Sequence, residues 1–201
     1  MSDTAKLAYE IRVMTMEDYD QVYDLWMSIH GFGIRSIDDS KEGVERFLRR
    51  NPSTSMVAVV DGKVVGSILC GHDGRRGCLY HVCVHEAYRK HGIGKAMAVA
   101  CMRALQEEQI NKVNIIAFKS NEVGNHFWKE EGWTFREDLN YYDFTLNESN
   151  ITRFINSKVT IQTPSSYIRK TARQVVLSRC YTANFAHIWG GGSIRATLRI
   201  R

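Results

Sequence analysis

The sequence contains no run of 18 or more apolar residues. A helix needs about 20 such residues to cross a bilayer, so no membrane-spanning helix is expected. The opening segment, MSDTAKLAYE, lacks the apolar stretch of a secretory signal. The five cysteines, at 70, 78, 83, 101 and 180, form no Cys-x-x-Cys pair and are odd in number. That argues against a disulfide framework and predicts reduced thiols in a cytoplasmic protein. Acid is missing from one end only. Residues 151–201 hold nine of the 27 Lys and Arg but none of the 22 Asp and Glu. The formal charge of +5 therefore hides a mildly acidic body and a basic tail. Nucleic-acid binding is expected only through that tail, as salt-sensitive phosphate contacts.

What is present alternates between strand and helix patterns. YEIRVM (9–14) reads as a strand, and Thr15 caps a helix with Val22, Leu25, Trp26 and Ile29 at helical spacing. GFGIRSIDD breaks it, Ser40 opens a shorter helix with Val44, Phe47 and Leu48, and Asn51-Pro52 stops that one. SMVAVV (55–60) and KVVGSILC (63–70) flank Asp61-Gly62, a strong hairpin signal because both turn positions need positive φ. GHDGRRG then turns the chain into CLYHVCV (78–84). A helix with Ile93, Met97, Cys101, Ala104 and Leu105 on one stripe follows, then a buried strand KVNIIAF (112–118). Asn121 caps a short helix ended by Gly132, and WTFRED with NYYDFTL reads as a closing hairpin. After about residue 148 the periodicity fails, and GGGS at 190–193 reads as linker. The predicted division is a domain at 1–148 and a basic, poorly packing tail at 149–201.

The stretch YRKHGIGKAM (88–97) gathers cations and glycines just before an apolar helix, where backbone N–H groups can meet an anion. A Walker A loop aligned on Gly94-Lys95 would need Gly at 89 and Ser or Thr at 96; the chain has Arg89 and Ala96. A dinucleotide fingerprint from Gly92 would need glycine at 97, which is Met97, and a parallel βαβ unit in place of hairpins. What remains is Arg-x-x-Gly-x-Gly between a strand and an apolar helix.

VCVHEAYRKHGIGKAM resembles the acetyl-CoA signature of the GNAT superfamily of N-acetyltransferases, V-x-V-x-P-x-Y-R-x-x-G-x-G/A. NEVGNHFWKEEGW resembles the family's second motif, N-x-x-A-x-x-F-Y-x-x-x-G-F. The likeness covers roughly residues 9–147 and is greatest to YpeA-type single-domain bacterial members. It implies an α/β (α+β) GNAT fold: a mostly antiparallel, mixed and twisted sheet flanked by helices, with a splayed strand pair holding CoA. By the resemblance, loop residues Arg89, Lys90, His91, Gly92, Ile93, Gly94 and Lys95 bind the CoA pyrophosphate. Backbone at Val82 and Val84 pairs with the pantetheine arm, while Asn121, Phe127 and Trp128 also contact the cofactor. The implied reaction is direct transfer of acetyl from acetyl-CoA to a primary amine: a small molecule, an amino acid, or a protein N-terminus or lysine. The resemblance leaves room for a homodimer.

Two departures bear on catalysis. Glu86 stands where the family has proline, and Trp128 stands where a tyrosine often protonates the departing thiolate; an indole cannot act as that acid. The alternative reading is a catalytically weak acyl-CoA-binding or regulatory module. No metal is expected: His81, Cys83 and His85 alternate along one strand at about 6.6 Å per step, too far apart to share one ion. Cys70, Cys78, Cys83 and Cys101 read as core thiols. Simple alternation puts 78, 80, 82 and 84 on one face and 79, 81, 83 and 85 on the other. By the resemblance the first set carries acid–base side chains, which makes Tyr80, and not His81, the catalytic candidate.

Overall fold

A computed structural model describes residues 7–155, which lie within the first of two compact units, Met1–Thr160. Five strands form one sheet in the order β1-β3-β4-β5-β6, from β1 (Glu10–Val13), β3 (Met56–Val60), β4 (Lys63–His72), β5 (Gly77–Val84) and β6 (Val113–Ile115). All neighbours are antiparallel except β5 and β6, which are parallel. The β3–β4 turn follows its chemistry: Asp61 and Gly62 have φ of 47° and 77°.

Helices α1 (Tyr19–Ser28) and α2 (Lys41–Arg50) cover one face, and α3 (Ile93–Glu107) and α4 (Glu122–Glu130) belong to the other. Val22, Leu25, Trp26, Val44 and Leu48 pack with Val57, Val64 and Leu69 on the first face. Ile93, Met97, Cys101, Leu105 and Trp128 pack with Ala58, Val65, Ile68 and Leu79 on the second. Two buried cores thus clamp β3 and β4 from both sides, which is why these strands read as near-continuous apolar runs.

The alternation expected along β5 does not hold. Ser67 of β4 pairs with Cys83, but Leu69 pairs with Tyr80, so three steps of β5 oppose two of β4. This is a β-bulge, and His81 sits in it with φ of 50°. Leu79, Val82 and Val84 pack on the α3 side, whereas Cys83 joins the α1–α2 core and His81 contacts Trp26 of α1. Tyr80 meets Phe47 of α2 edge-on at 6.0 Å. The inserted residue reverses the parity, so Tyr80 and His81 share a face opposite Val82 and Val84.

Three other expectations are corrected. The strand foreseen over 112–118 is regular only at Val113–Ile115, and Ile116 and Phe118 are 59% and 58% exposed. It lies at the sheet edge with one neighbour, which pairs with it for three residues. The closing hairpin is absent: no strand forms between 133 and 148, and Phe135, Tyr142 and Leu146 are exposed. Apolar alternation makes a strand only where an edge offers backbone partners, and β6 offers a short one. Finally, β2 (Gly33–Arg35) lies inside the segment read as a breaker, and it pairs with β7 (Thr152–Phe154), beyond the expected boundary at 148. Asn150 reinforces that junction, its Oδ1 accepting from Ile37 N at 2.9 Å and its Nδ2 donating to Asp38 at 2.6 Å. The rest of the foreseen tail, with GGGS, lies outside the described residues.

Candidate active site

The parallel pairing of β5 with β6 joins Gly77, Cys78 and Leu79 to Val113, Asn114 and Ile115, and then stops. Beyond Leu79, β5 runs on to Val84 with no strand among the described residues on that edge. The backbone groups there that face away from β4 have no strand partner and can meet an extended ligand, with Val84 O also accepting from Arg89 Nε. Both Val82 and Val84 lie on this open stretch, half-buried against the α3-side core.

At the end of the open edge stands the N-terminus of α3. The chain reaches it through two left-handed residues, Lys90 (φ 66°) and Gly92 (φ 80°). Helices α2 and α4 begin with side-chain caps: Ser40 Oγ accepts from Gly43 N at 3.1 Å and Asn121 Oδ1 accepts from Gly124 N at 3.0 Å. Gly92 offers α3 no such cap, and the first bond of the helix runs from Ala96 N to Gly92 O at 3.0 Å. The amides of Ile93, Gly94 and Lys95 precede that bond and have no carbonyl within the helix. Roughly half a positive charge accumulates at such an end, which suits a phosphate.

The side chains divide into three sets. Ile93 is 1% exposed, so only its backbone can face a ligand. Gly94 looks into the gap: a Cβ there would lie 3.6 Å from the Phe127 ring and 3.8 Å from Val84 Cγ2. Arg89 folds back, its Nε donating to Val84 O at 3.1 Å and its Nη1 lying 3.5 Å from Glu86. Lys95 reaches Glu131 at 3.0 Å and so links α3 to the end of α4. Lys90 and His91 are exposed. Asn121 is occupied as a cap, and Trp128, 8% exposed, packs into the core between Phe127 at 4.9 Å and Trp133 at 4.7 Å.

On the α1–α2 face of β5, Tyr80 is 45% exposed. Partial burial raises its phenol above the ordinary range, so it stays protonated at neutral pH. Beside it, His81 Nε2 lies 2.6 Å from Asp39 Oδ1, and the imidazole packs at a tilt against Trp26 and Phe32, with ring centroids 4.6 and 4.9 Å away. Asp39 is 4% exposed, and its Oδ2 accepts from Arg35 N at 2.6 Å. Burial pushes the Cys83 thiol up to about 11 and raises Cys78 as well, so neither is a ready thiolate nucleophile. No group of three or more His, Cys, Asp or Glu side chains that could hold a metal occurs among the described residues. The Asp39–His81 pair escapes a reading along the sequence because its partners stand 42 positions apart.

The site thus joins a strand edge left open beyond Leu79 to a glycine-opened, uncapped helix N-terminus. The chain matches the Acetyltransferase (GNAT) family over residues 19–133, more than half its length, and belongs to that family. It is 34% identical over 114 residues to an acetyltransferase of Yersinia pestis (strain Pestoides F), a match covering 57% of this chain and 79% of that one. An acetyltransferase of Sodalis glossinidius (strain morsitans) is 35% identical over the same length and coverage. Among solved structures, the PaiA N-acetyltransferase of Thermoplasma acidophilum in complex with coenzyme A superposes with a TM-score of 0.58 at 16% identity, covering 72% of this chain and 96% of that one. A ribosomal-protein-alanine N-acetyltransferase of Brucella melitensis gives 0.54 at 21% identity, with 70% and 100% covered. These likenesses agree in the fold.

Proposed function

We propose that this acetyltransferase moves the acetyl group of acetyl-CoA to a primary amine by direct attack within a ternary complex. The observation that carries the reading is the continuity of the open β5 edge with the uncapped amides of α3. A pantetheine arm laid along Val82 and Val84 brings its pyrophosphate to Ile93, Gly94 and Lys95, with Lys90 and His91 free to meet phosphate charge. Phe127 flanks the arm from α4. Coenzyme A in the Thermoplasma acidophilum relative supports the same cofactor here.

The thioester then sits near the bulge, where the strand pair parts. The bulged backbone leaves an N–H near Val82 outside the β4 ladder, suited to hold the developing oxyanion. The acceptor approaches from the α1–α2 face, where Tyr80 donates a hydrogen bond to it or to an intervening water. Protonated thiols at Cys78 and Cys83 favour direct attack over an acyl-cysteine intermediate. Trp128, buried where the motif has tyrosine, favours one second reading, an acyl-CoA-binding module without turnover. Two measurements separate them: calorimetry with acetyl-CoA, and thiol release with spermidine, kanamycin and a peptide bearing an N-terminal alanine. Binding with acceptor-dependent thiol release supports transfer, binding without release supports the module, and absence of binding overturns both.

A further inference from the structure

Four residues other than glycine hold positive φ among the described residues: Asp61, His81, Lys90 and Gln109. Asp61, Lys90 and Gln109 lie in turns or helix flanks, where the left-handed region is common. His81 alone lies inside a strand. A left-handed conformation there persists only when the surroundings hold it, and such outliers cluster at functional sites.

The surroundings of His81 are specific. Alternation back from Cys83 puts residue 81 on the α1–α2 face, and the bulge sets Tyr80 beside it. The His81 ring packs against Trp26 and Phe32 and reaches Asp39 at 2.6 Å. Asp39 is itself fixed: Arg35 N donates to its carboxylate at 2.6 Å, and Tyr19 Oη donates to its carbonyl at 3.0 Å. With the carboxylate as acceptor, Nε2 carries the shared proton, and in the neutral ring the lone pair then lies on Nδ1. Nδ1 has no hydrogen-bond partner among the described residues, and none of the buried side-chain nitrogens there is left unpaired, so it reaches the surface. His81 stands two residues past Leu79, where pairing with β6 has stopped, on the face of β5 that also carries Tyr80.

We propose that His81, oriented by Asp39, is the base that takes the acceptor's proton, which makes His81 a catalytic residue and Asp39 a positioning one. The proposal rests on the acetyl-transfer reading above. The acceptor ammonium gives one proton to His81 Nδ1, directly or through one water. The freed nitrogen lone pair attacks the thioester carbonyl, and the C–N bond forms. The C–S bond then breaks with its electrons on sulfur. One of the two protons still on that nitrogen goes to the thiolate or to water, leaving the amide N–H, and His81 returns its own to solvent. Tyr80, whose phenol burial keeps protonated, cannot replace it as base.

The bland alternative is that Asp39–His81 merely ties the β2–α2 segment to the sheet. His81→Gln discriminates, because an amide N–H can still donate to Asp39 while no base remains. With 15N-labelled histidine, the protein at about pH 9, above the ordinary imidazole range, should show His81 protonated at Nε2 and bare at Nδ1. The opposite tautomer overturns the proposal. With acetyl-CoA and the three amines named above, His81→Gln should keep acetyl-CoA affinity and lose roughly 10²–10³-fold in kcat. His81→Ala should lose as much and recover part of it with added imidazole. A folded His81→Gln enzyme within about threefold of wild type overturns the proposal and leaves acetyl transfer standing. A wild type that binds acetyl-CoA yet releases thiol with none of the amines overturns the transfer reading, and this proposal with it.

Discussion

Gly94 of α3 faces the Phe127 ring of α4 across the mouth of the strand gap, so that a Cβ on Gly94 would lie 3.6 Å from that ring. A single carbon fits at that distance, but the branched carbons of valine would occupy the channel between Phe127 and Val84. Gly94→Val should therefore fold with a melting temperature close to wild type while abolishing acetyl-CoA binding by calorimetry. Unchanged affinity in the folded variant would remove the main support for this cofactor site.

A second prediction concerns pH and stability. Asp18, 5% exposed at its side chain, takes two hydrogen bonds from Arg12 at 2.8 and 2.6 Å and one from Thr15 N at 2.9 Å. Burial pushes its carboxyl up, but these donors outweigh burial and hold it below the ordinary value. Its contribution to stability is thus fully present above the unfolded carboxyl range, about 3.9, and is lost as pH falls through the lower folded value. Asp18→Asn should cost about 1–3 kcal/mol at neutral pH by urea unfolding. The variant should also show a flatter fall in stability below about pH 4 than wild type. Parallel acid limbs for the two proteins would show that Asp18 is not a source of the slope.

Trp128 bears on the leaving group. A thiol ionises near 8.5 and an alkylamine near 10.4, so CoA thiolate departs without prior protonation more readily than the amine does. Loss of the motif tyrosine therefore need not silence the enzyme. Trp128→Phe, which empties part of a core site between Phe127 and Trp133, should lower stability by about 1–3 kcal/mol and raise the KM for acetyl-CoA modestly, with kcat largely kept. A variant with unchanged CoA affinity and no turnover would show that the indole takes part.

The fourth prediction is about the chain end. Besides the β2–β7 pairs, Gly31 N donates to Ile155 O at 2.7 Å and the Phe154 ring meets Phe118 at 5.7 Å. A chain ending at Asn147 should melt several degrees below one ending at Ile155, at about 2–4 °C per kcal/mol for a domain of this size. Equal melting temperatures would show that β7 adds nothing to the body.

Tyr80 and His81 can be ranked against each other by kinetics. If Tyr80 only orders the acceptor or a water, Tyr80→Phe should lower kcat more than it raises KM, yet lower it less than His81→Gln does. A larger loss in Tyr80→Phe would overturn that ranking and show that the phenol does more than order the acceptor.

Features that depend on neighbours a few positions apart were legible along the chain. Helical stripes placed α1 to α4, Asp61-Gly62 set its turn, Ser40 and Asn121 announced their caps, and the glycines of 92–94 marked the uncapped start of α3. Those signals are local: each states a φ preference, a side-chain period or a cap within one turn. The division of the acid–base face was beyond that reach. A bulge is a property of two strands together, because it exists only as a mismatch of register between Ser67–Leu69 and Tyr80–Cys83. One inserted residue moved Tyr80 from the face of Val82 and Val84 to that of His81, and no count along β5 alone could reveal it. The same holds for NYYDFTL, whose alternation promised a strand, and for β7, whose three residues carry little pattern of their own. Strands are decided by the edge that receives them, and only the tertiary structure says which edges are open.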